Sequence, residues 1–236
     1  VAHIDNCLSC LGCATTCPSG GDYMRLIDHA RVHIETHYRR PLMDRAFRAV
    51  LNFILPHPDR FARALLLGRV VAPFAKFFPR RLARMLAMAK AISLPPPRSS
   101  RQGGGRRTEL GAKPLPSDGE GLGWGDGKKL RVALLTGCVQ PSLAPEINAA
   151  TIRLLNRLGV EVVTPESAGC CGALSHHLGK TEAAKQFARA NINAWMAEPL
   201  DAIIINASGC GVQVKQYAFM LRDDPLARDA AHISSI

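Results

Sequence analysis

The chemistry this chain can perform sits on its cysteines. Four of the eight fall in the stretch CLSCLGCATTCP (7–18). Cys7, Cys10 and Cys13 have two residues between them, Cys17 follows after three more, and Pro18 comes next. The run C-x2-C-x2-C-x3-C-P is one that holds iron–sulfur clusters, and thiolates are the soft ligands such clusters select. The tight spacing lets one short loop wrap an inorganic core with three sulfurs turned inward. Pro18 then withdraws a backbone donor. Two other uses of these thiols weigh less. Zinc is more often held by two separated C-x2-C pairs, and overlapping short loops are poorly suited to disulfides.

Where such runs occur in pairs, the fourth cysteine ligates the other cluster. By that rule Cys7, Cys10 and Cys13 hold one cluster and Cys17 belongs to a second. The sequence opens at Val1, without a methionine, six residues before Cys7. It therefore reads as an internal piece of a longer protein, cut after a first motif of the same kind. The competing arrangement is a single cluster held by all four cysteines, or by three of them with Cys138 or another remote thiol.

The remaining thiols are placed by the elements before them. LRVALLTG (130–137), VEVVTP (160–165) and DAIIINAS (201–208) are short apolar runs that read as buried strands. A helix runs from Pro145 to Leu158 and closes at Gly159; another covers Thr181 to Met196, with Ala184, Phe187, Ala188 and Ile192 on one face; a third begins at Val212 and reaches Leu221. Strands alternating with helices predict a parallel sheet with right-handed crossovers. Cys138 follows the first strand, Cys170 and Cys171 lie in the loop after the second, and Cys210 follows the third. All four stand beyond the carboxyl ends of parallel strands, where open α/β sheets build their sites. Gly137, Gly169, Gly172, Gly209 and Gly211 flank them and would let backbone approach a bulky group. Single buried cysteines are often inert, but four converging from three loops form a metal-site pattern. His176 and His177 are near enough to hydrogen-bond that site and are weaker candidates as ligands.

Between the two cysteine groups lie helices and a linker. Asp22 is placed to cap a helix through His37, with Tyr23, Leu26, Ile27, Ala30 and Ile34 at helical spacing. His29, His33 and His37 fall four apart on one face; with no thiol or carboxylate at ligand spacing, they read as a polar face. Pro41 suits a first helical residue, opening an amphipathic helix through Ile54; Pro58 opens another to about Val71, where Pro73 breaks it; a last one covers about 80–92. Residues 93–129, with Pro95-Pro96-Pro97, Gly103-Gly104-Gly105 and GLGWGDG, read as a linker. GLGWGDG follows no strand and opens no helix, so it is not a phosphate-cradling loop.

The chain has 236 residues, of which 47% are hydrophobic. That suffices for a core, and no uncharged apolar stretch reaches the length of a membrane span. Eight cysteines without a secretory mark argue for metal in a reducing compartment. The net charge of +11 lies wholly in residues 1–129, which carry 21 basic against 10 acidic residues; residues 130–236 carry 9 of each. Between Arg39 and Arg107, 16 basic residues meet only Asp44 and Asp59. This field suits an anionic partner such as acidic lipid, an acidic subunit or nucleic acid, or serves as a solvated basic face. The basic helices could lie on a membrane or dock on partner subunits with arginine stems covering apolar surface; docking is the preferred expectation.

CLSCLGCATTCPSG followed by DY resembles the second ferredoxin motif of the iron–sulfur subunits of glycolate oxidases. GCVQP (137–141), AGCCGAL (168–174) and NASGCG (206–211) resemble the first cysteine-rich CCG domain of the same subunits, a domain shared with heterodisulfide reductase, lactate-utilisation and anaerobic glycerol-3-phosphate dehydrogenase subunits. Cys138 and Cys170 have 31 residues between them, as the CCG pattern requires. That pattern ends in C-x2-C, whereas Gln213 stands at the second cysteine's place, and Gly21 stands where valine is usual. The resemblance implies a mixed α+β and α/β chain. Residues 1–38 would be the second half of a two-cluster ferredoxin-like domain, 39–92 basic amphipathic helices, 93–129 a linker, and 130–236 an incomplete first CCG domain. It implies two [4Fe–4S] clusters in the full-length protein, with Cys7, Cys10, Cys13 and Cys17 as ligands, and a further iron–sulfur or zinc centre on Cys138, Cys170, Cys171 and Cys210. The expected role is electron transfer from a flavin-containing, glycolate-oxidising subunit towards a membrane quinone. The chain has no general base or flavin site of its own. The expected location is cytoplasmic, peripheral on the inner face of the membrane, and no nucleic acid is expected. The competing roles are a subunit of a lactate- or anaerobic glycerol-3-phosphate-oxidising or heterodisulfide-reductase-like complex, or a zinc-stapled scaffold.

Overall fold

The computed structural model describes residues 1–77 and 130–236, except Leu8. The predicted helix over 80–92 and the linker over 93–129 lie outside these residues. Two short helices, α1 (Ala2–Asp5) and α2 (Gly12–Thr16), bracket the first cysteines. Asp22 then caps α3 (Tyr23–His37) as its position predicts, its carboxylate accepting the Arg25 N–H at 3.2 Å. Along α3, Ile27, Ala30 and Ile34 are half-buried and Arg31 is buried. Leu26, expected on the same apolar face, is 61% exposed, because its neighbour Ile27 takes the inward direction and a helix turns about 100° per residue. His29, His33 and His37 are exposed, with the last two rings stacked at 4.2 Å.

Pro41 sits before α4 (Leu42–Ile54), with extended ψ, rather than inside its first turn. Pro58 does open α5 (Pro58–Val71), and a 3-10 turn (Ala72–Phe77) follows at Pro73, which has no N–H to continue the α-helix. Several apolar side chains of α4 and α5 face outward, among them Leu42, Met43, Phe53, Leu67 and Val70, each at least 60% exposed. Among the described residues no helix is long and apolar enough to cross a membrane.

The second unit is built on a three-stranded parallel sheet of order β2-β1-β3, with β1 at Arg131–Leu135, β2 at Glu161–Val163 and β3 at Ala202–Ile205. Val132 pairs with Val162 on one side and Ala202 on the other. The central strand has period-2 sidedness with both faces buried. Val132 and Leu134 pack with Val162, Ile152 and Leu155. Ala133 and Leu135 pack with Ile192, Trp195, Tyr217 and Ile233. Helix α7 (Pro145–Arg157), after a short α6 (Gln140–Leu143), therefore covers one face. Helices α9 (Thr181–Met196) and α12 (Ala227–Ser235) cover the other. The strands are shorter than the apolar runs that predicted them, since the runs continue into the cysteine loops. After β3 the helix begins earlier than expected, at Ser208, and breaks at Gln216 into α10 (Ser208–Lys215) and α11 (Tyr217–Met220).

The two units meet around the short helix α8 (Ala173–His177). Ser175, fully buried, donates to Asn52 Oδ1 of α4 at 2.7 Å. Arg48 donates to the Leu178 carbonyl at 2.9 Å, and Lys180 pairs with Glu35 at 3.4 Å. Gly179 has a φ of +76°, and a Cβ there would stand 2.7 Å from the Arg31 carbonyl oxygen. Only glycine allows this approach of the turn to α3.

Candidate metal centres

The loop from Cys7 to Cys17 is wound by two residues that seldom take the left-handed region. Ser9 has a φ of 53° and Leu11 one of 61°. These reversals fold the loop so that the Ser9 N–H turns back to the Cys7 sulfur at 3.5 Å, while α2 carries Cys13. All four thiols are free, with Cys7 and Cys17 half-buried and Cys10 and Cys13 exposed. Cys17 has the surroundings of a ready thiolate. Its sulfur lies 3.0 Å from the Ser19 hydroxyl, and the Ser19 contact, with the Gly21 and Ser19 N–H groups, brings its pKa down to about 7.

A side chain from α3 holds this loop. The buried Arg31 guanidinium donates to the Cys7 carbonyl at 2.6 Å and to the Ser9 hydroxyl at 2.7 Å. Its third contact, at 3.0 Å, is His177 Nδ1 from α8. The adjacent His176 meets Asp28 of α3 at 3.0 Å. The histidine pair, expected near the second thiol set, thus joins the second unit to α3. The reason is their place at the end of α8, on the side that packs against α3.

The second set assembles as the strand order predicts. Cys138 lies just beyond β1, Cys170 and Cys171 follow β2, and Cys210 falls in the first turn of α10 after β3. The thiols influence one another in sequence, Cys210 with Cys171, Cys171 with Cys170 and Cys170 with Cys138. Cys138 pushes the Cys170 thiol up to about 12, and Cys170 does the same for Cys171; Cys138 is in turn lowered by Cys170. Cys171 and burial also raise Cys210. Cys138 thus lies beyond β1, on the side of the sheet where Cys170 follows β2.

Buried amides and a phenol pin these loops. Asn191, 1% exposed, accepts the Gly169 N–H at 2.9 Å and donates to the Cys170 carbonyl at 2.9 Å and to Tyr217 Oη at 3.0 Å. Tyr217, fully buried, donates to the Cys171 carbonyl at 2.9 Å. On the other face Asn148 donates to the Thr136 carbonyl at 3.0 Å, and its own oxygen accepts from Gln140 and Asn206. Of the flanking glycines, Gly137 and Gly172 take left-handed φ. Gly169, Gly209 and Gly211 do not, and a Cβ on any of them would meet nothing within 4 Å. Those three are glycines beside open space, not glycines required by the backbone.

Sequence reading missed Arg31, Asn191 and Tyr217, although two left a signal. Arg31 interrupts the stripe of Ile27, Ala30 and Ile34, and Asn191 interrupts that of Ala184, Ala188 and Trp195. A polar residue on an apolar stripe needs a buried partner. Among the described residues no three His, Cys, Asp or Glu side chains are gathered as ligands of one metal ion. A cluster is a wider target, since its thiolates sit on different irons. The donor chemistry of the first loop suits it: four free thiols, one of low pKa, on a loop reversed twice around itself.

Residues 132–215 match the family model of the cysteine-rich CCG domain. Over 97% of this chain the sequence is 38% identical to the glycolate oxidase iron-sulfur subunit of Escherichia coli (strain K12), covering 50% of that protein. Over nearly its whole length the chain is thus similar to an iron–sulfur subunit. The probable glycolate oxidase iron-sulfur subunit of Bacillus subtilis (strain 168) is 32% identical over 93% of the chain and 48% of its own length. Lactate utilization protein A of Exiguobacterium sp. is 31% identical over 42% of the chain and 41% of that protein. The chain thus spans about half the length of the first two relatives. No solved structure matches it.

Proposed function

We propose that this chain is part of the electron-transfer subunit of a glycolate-oxidising complex. The observation that carries the reading is the Cys7–Cys17 run, on a chain 38% identical over nearly its whole length to a glycolate oxidase iron-sulfur subunit. Cys7, Cys10, Cys13 and Cys17 are the residues to hold [4Fe–4S] clusters, with Cys17 serving the second of two. Bound there, such clusters accept and pass on single electrons. The protein's part is to fix the thiolates, exclude solvent from one side of the loop and set the local charge. The Cys138, Cys170, Cys171 and Cys210 set takes a further iron–sulfur or zinc centre, reached through loops pinned by Asn191, Tyr217 and Asn148.

In this reading a flavin-containing partner subunit oxidises glycolate to glyoxylate and delivers electrons to the chain, which passes them to a membrane quinone. The exposed apolar side chains of α4 and α5, among arginines, are the surface for a partner subunit, with the cytoplasmic face of the membrane as the other candidate. The likeness of part of the chain to lactate utilization protein A favours lactate as the alternative substrate of the complex. A zinc-stapled scaffold is the alternative of another class.

Anaerobic purification of the full-length protein, with iron, acid-labile sulfide and zinc analysis beside a visible spectrum, tests the reading. About eight irons with matching sulfide correspond to two clusters, and about twelve place a third on the CCG thiols. Zinc without colour leaves the scaffold. Cys10→Ser lowers both iron and sulfide; unchanged iron removes Cys10 from the ligand set.

A further inference from the structure

Arg31 carries a charge that the fold buries and only partly compensates. Its side chain is 6% exposed. Its ion-pair partner Asp28 is 3.7 Å away and is shared with His176 at 3.0 Å. The shorter contacts of the guanidinium are to uncharged acceptors, the Cys7 carbonyl and the Ser9 hydroxyl. Arginine has donors only, so His177 Nδ1 must accept, which fixes that ring as the neutral tautomer protonated at Nε2. His177 therefore steers the guanidinium without cancelling it. Gly179 brings the second unit's turn against the Arg31 backbone, so the same contact that docks the two units aims the side chain at the cysteine loop.

A cation held out of water acts on a nearby redox group with little screening. Reduction adds a negative charge, and cluster potentials respond to local charge, hydrogen bonding and solvent exposure. We propose that Arg31 is a positioning residue of the Cys7–Cys17 site: it clamps the ligand loop through Cys7 and Ser9, and its buried charge raises the reduction potential of the cluster held there. The proposal rests on the iron–sulfur reading of that loop. It adds that docking of the second unit, through His177, helps to set the potential.

The test uses the full-length protein, purified anaerobically, as the parent and as Arg31→Gln, Arg31→Lys, His177→Gln and His177→Glu. His177→Glu places a carboxylate against the guanidinium, at the Nη1 that also donates to Ser9. Iron and sulfide are measured first, then the reduced fraction of each cluster by electron paramagnetic resonance at fixed applied potentials. Arg31→Gln and His177→Glu are expected to keep their iron and to lower the ratio of reduced to oxidised for one cluster at least tenfold. For one electron that is a downward shift of about 59 mV. Arg31→Lys should stay within threefold of the parent, a rescue by charge that a purely structural role would not produce, and His177→Gln, which exchanges one neutral partner for another, should stay within threefold as well. If Arg31→Gln sheds iron, the clamp is supported and His177→Glu decides the charge. A loaded His177→Glu with the parent's ratio overturns the proposal, as does a loaded Arg31→Gln with that ratio. A parent without iron or sulfide fails the iron–sulfur reading itself, a result separate from an unmoved potential in loaded protein.

Discussion

At the scale of single residues, the polar groups near the thiols work by being satisfied. His177 is held neutral: burial first, then the Arg31 and His176 charges, bring its pKa from 6.5 down to about 4. The unfolded chain therefore takes up this proton first. Stability is complete above about pH 6.5 and falls as pH drops towards 4, by on the order of 2 kcal/mol once partial exposure is discounted. Thermal unfolding of the parent and His177→Gln between pH 7 and 4 checks this, and the variant should show a flatter profile. Asn191 and Tyr217 make a second case. Asn191→Leu strands the Gly169 N–H and the Cys170 carbonyl and should cost on the order of 3 kcal/mol; Tyr217→Phe strands the Cys171 carbonyl and should cost about 1–2 kcal/mol. Because Asn191 also bonds Tyr217, the double variant should lose less than the sum in denaturant unfolding.

At the scale of elements, the turn after α8 decides how the two units meet. Gly179→Ala meets two penalties together, a left-handed φ of +76° and a Cβ 2.7 Å from backbone. Gly159, at the end of α7, has nearly the same φ, +80°, with nothing within 4 Å of a Cβ. Gly159→Ala should therefore cost about 1 kcal/mol from conformation alone. Gly179→Ala should cost clearly more, about 2–4 kcal/mol, because the Arg31 carbonyl cannot move away without shifting α3. Equal midpoints for the two variants in urea would remove the close approach as a determinant of docking.

At the scale of the whole molecule, charge and apolar exposure coincide on α4 and α5. Met43 is 82% exposed and Phe53 60%, with the Arg60 guanidinium over the Phe53 ring at 4.1 Å. Apolar side chains grouped on one exposed face mark an interaction surface. Met43→Glu with Phe53→Glu should weaken association with the proposed partner subunit at least tenfold and leave iron content and melting temperature unchanged. Vesicles containing anionic lipid should recruit the protein in a salt-sensitive way if the membrane is the partner. Equal binding to neutral vesicles would dismiss the basic charge as the cause.

Both cysteine groups, the α/β alternation and the placement of Cys138, Cys170, Cys171 and Cys210 beyond parallel strands are legible in the order of the residues alone. Those features are local: short spacings, apolar runs, prolines at helix starts such as Pro58, and the cap at Asp22 are set by residues within a few positions of each other. The tertiary structure alone decided that Arg31, rather than a neighbour in the loop, holds Cys7 and Ser9. It also decided that His176 and His177 turn to α3, and that Asn191 and Tyr217 hold the Cys170–Cys171 backbone. These partners lie from 21 residues apart in the chain, for Asn191 and Cys170, to more than 140 apart, for His177 and Arg31 at 146 and for His176 and Asp28. No local period encodes them, because they exist only where two folded surfaces have already excluded water.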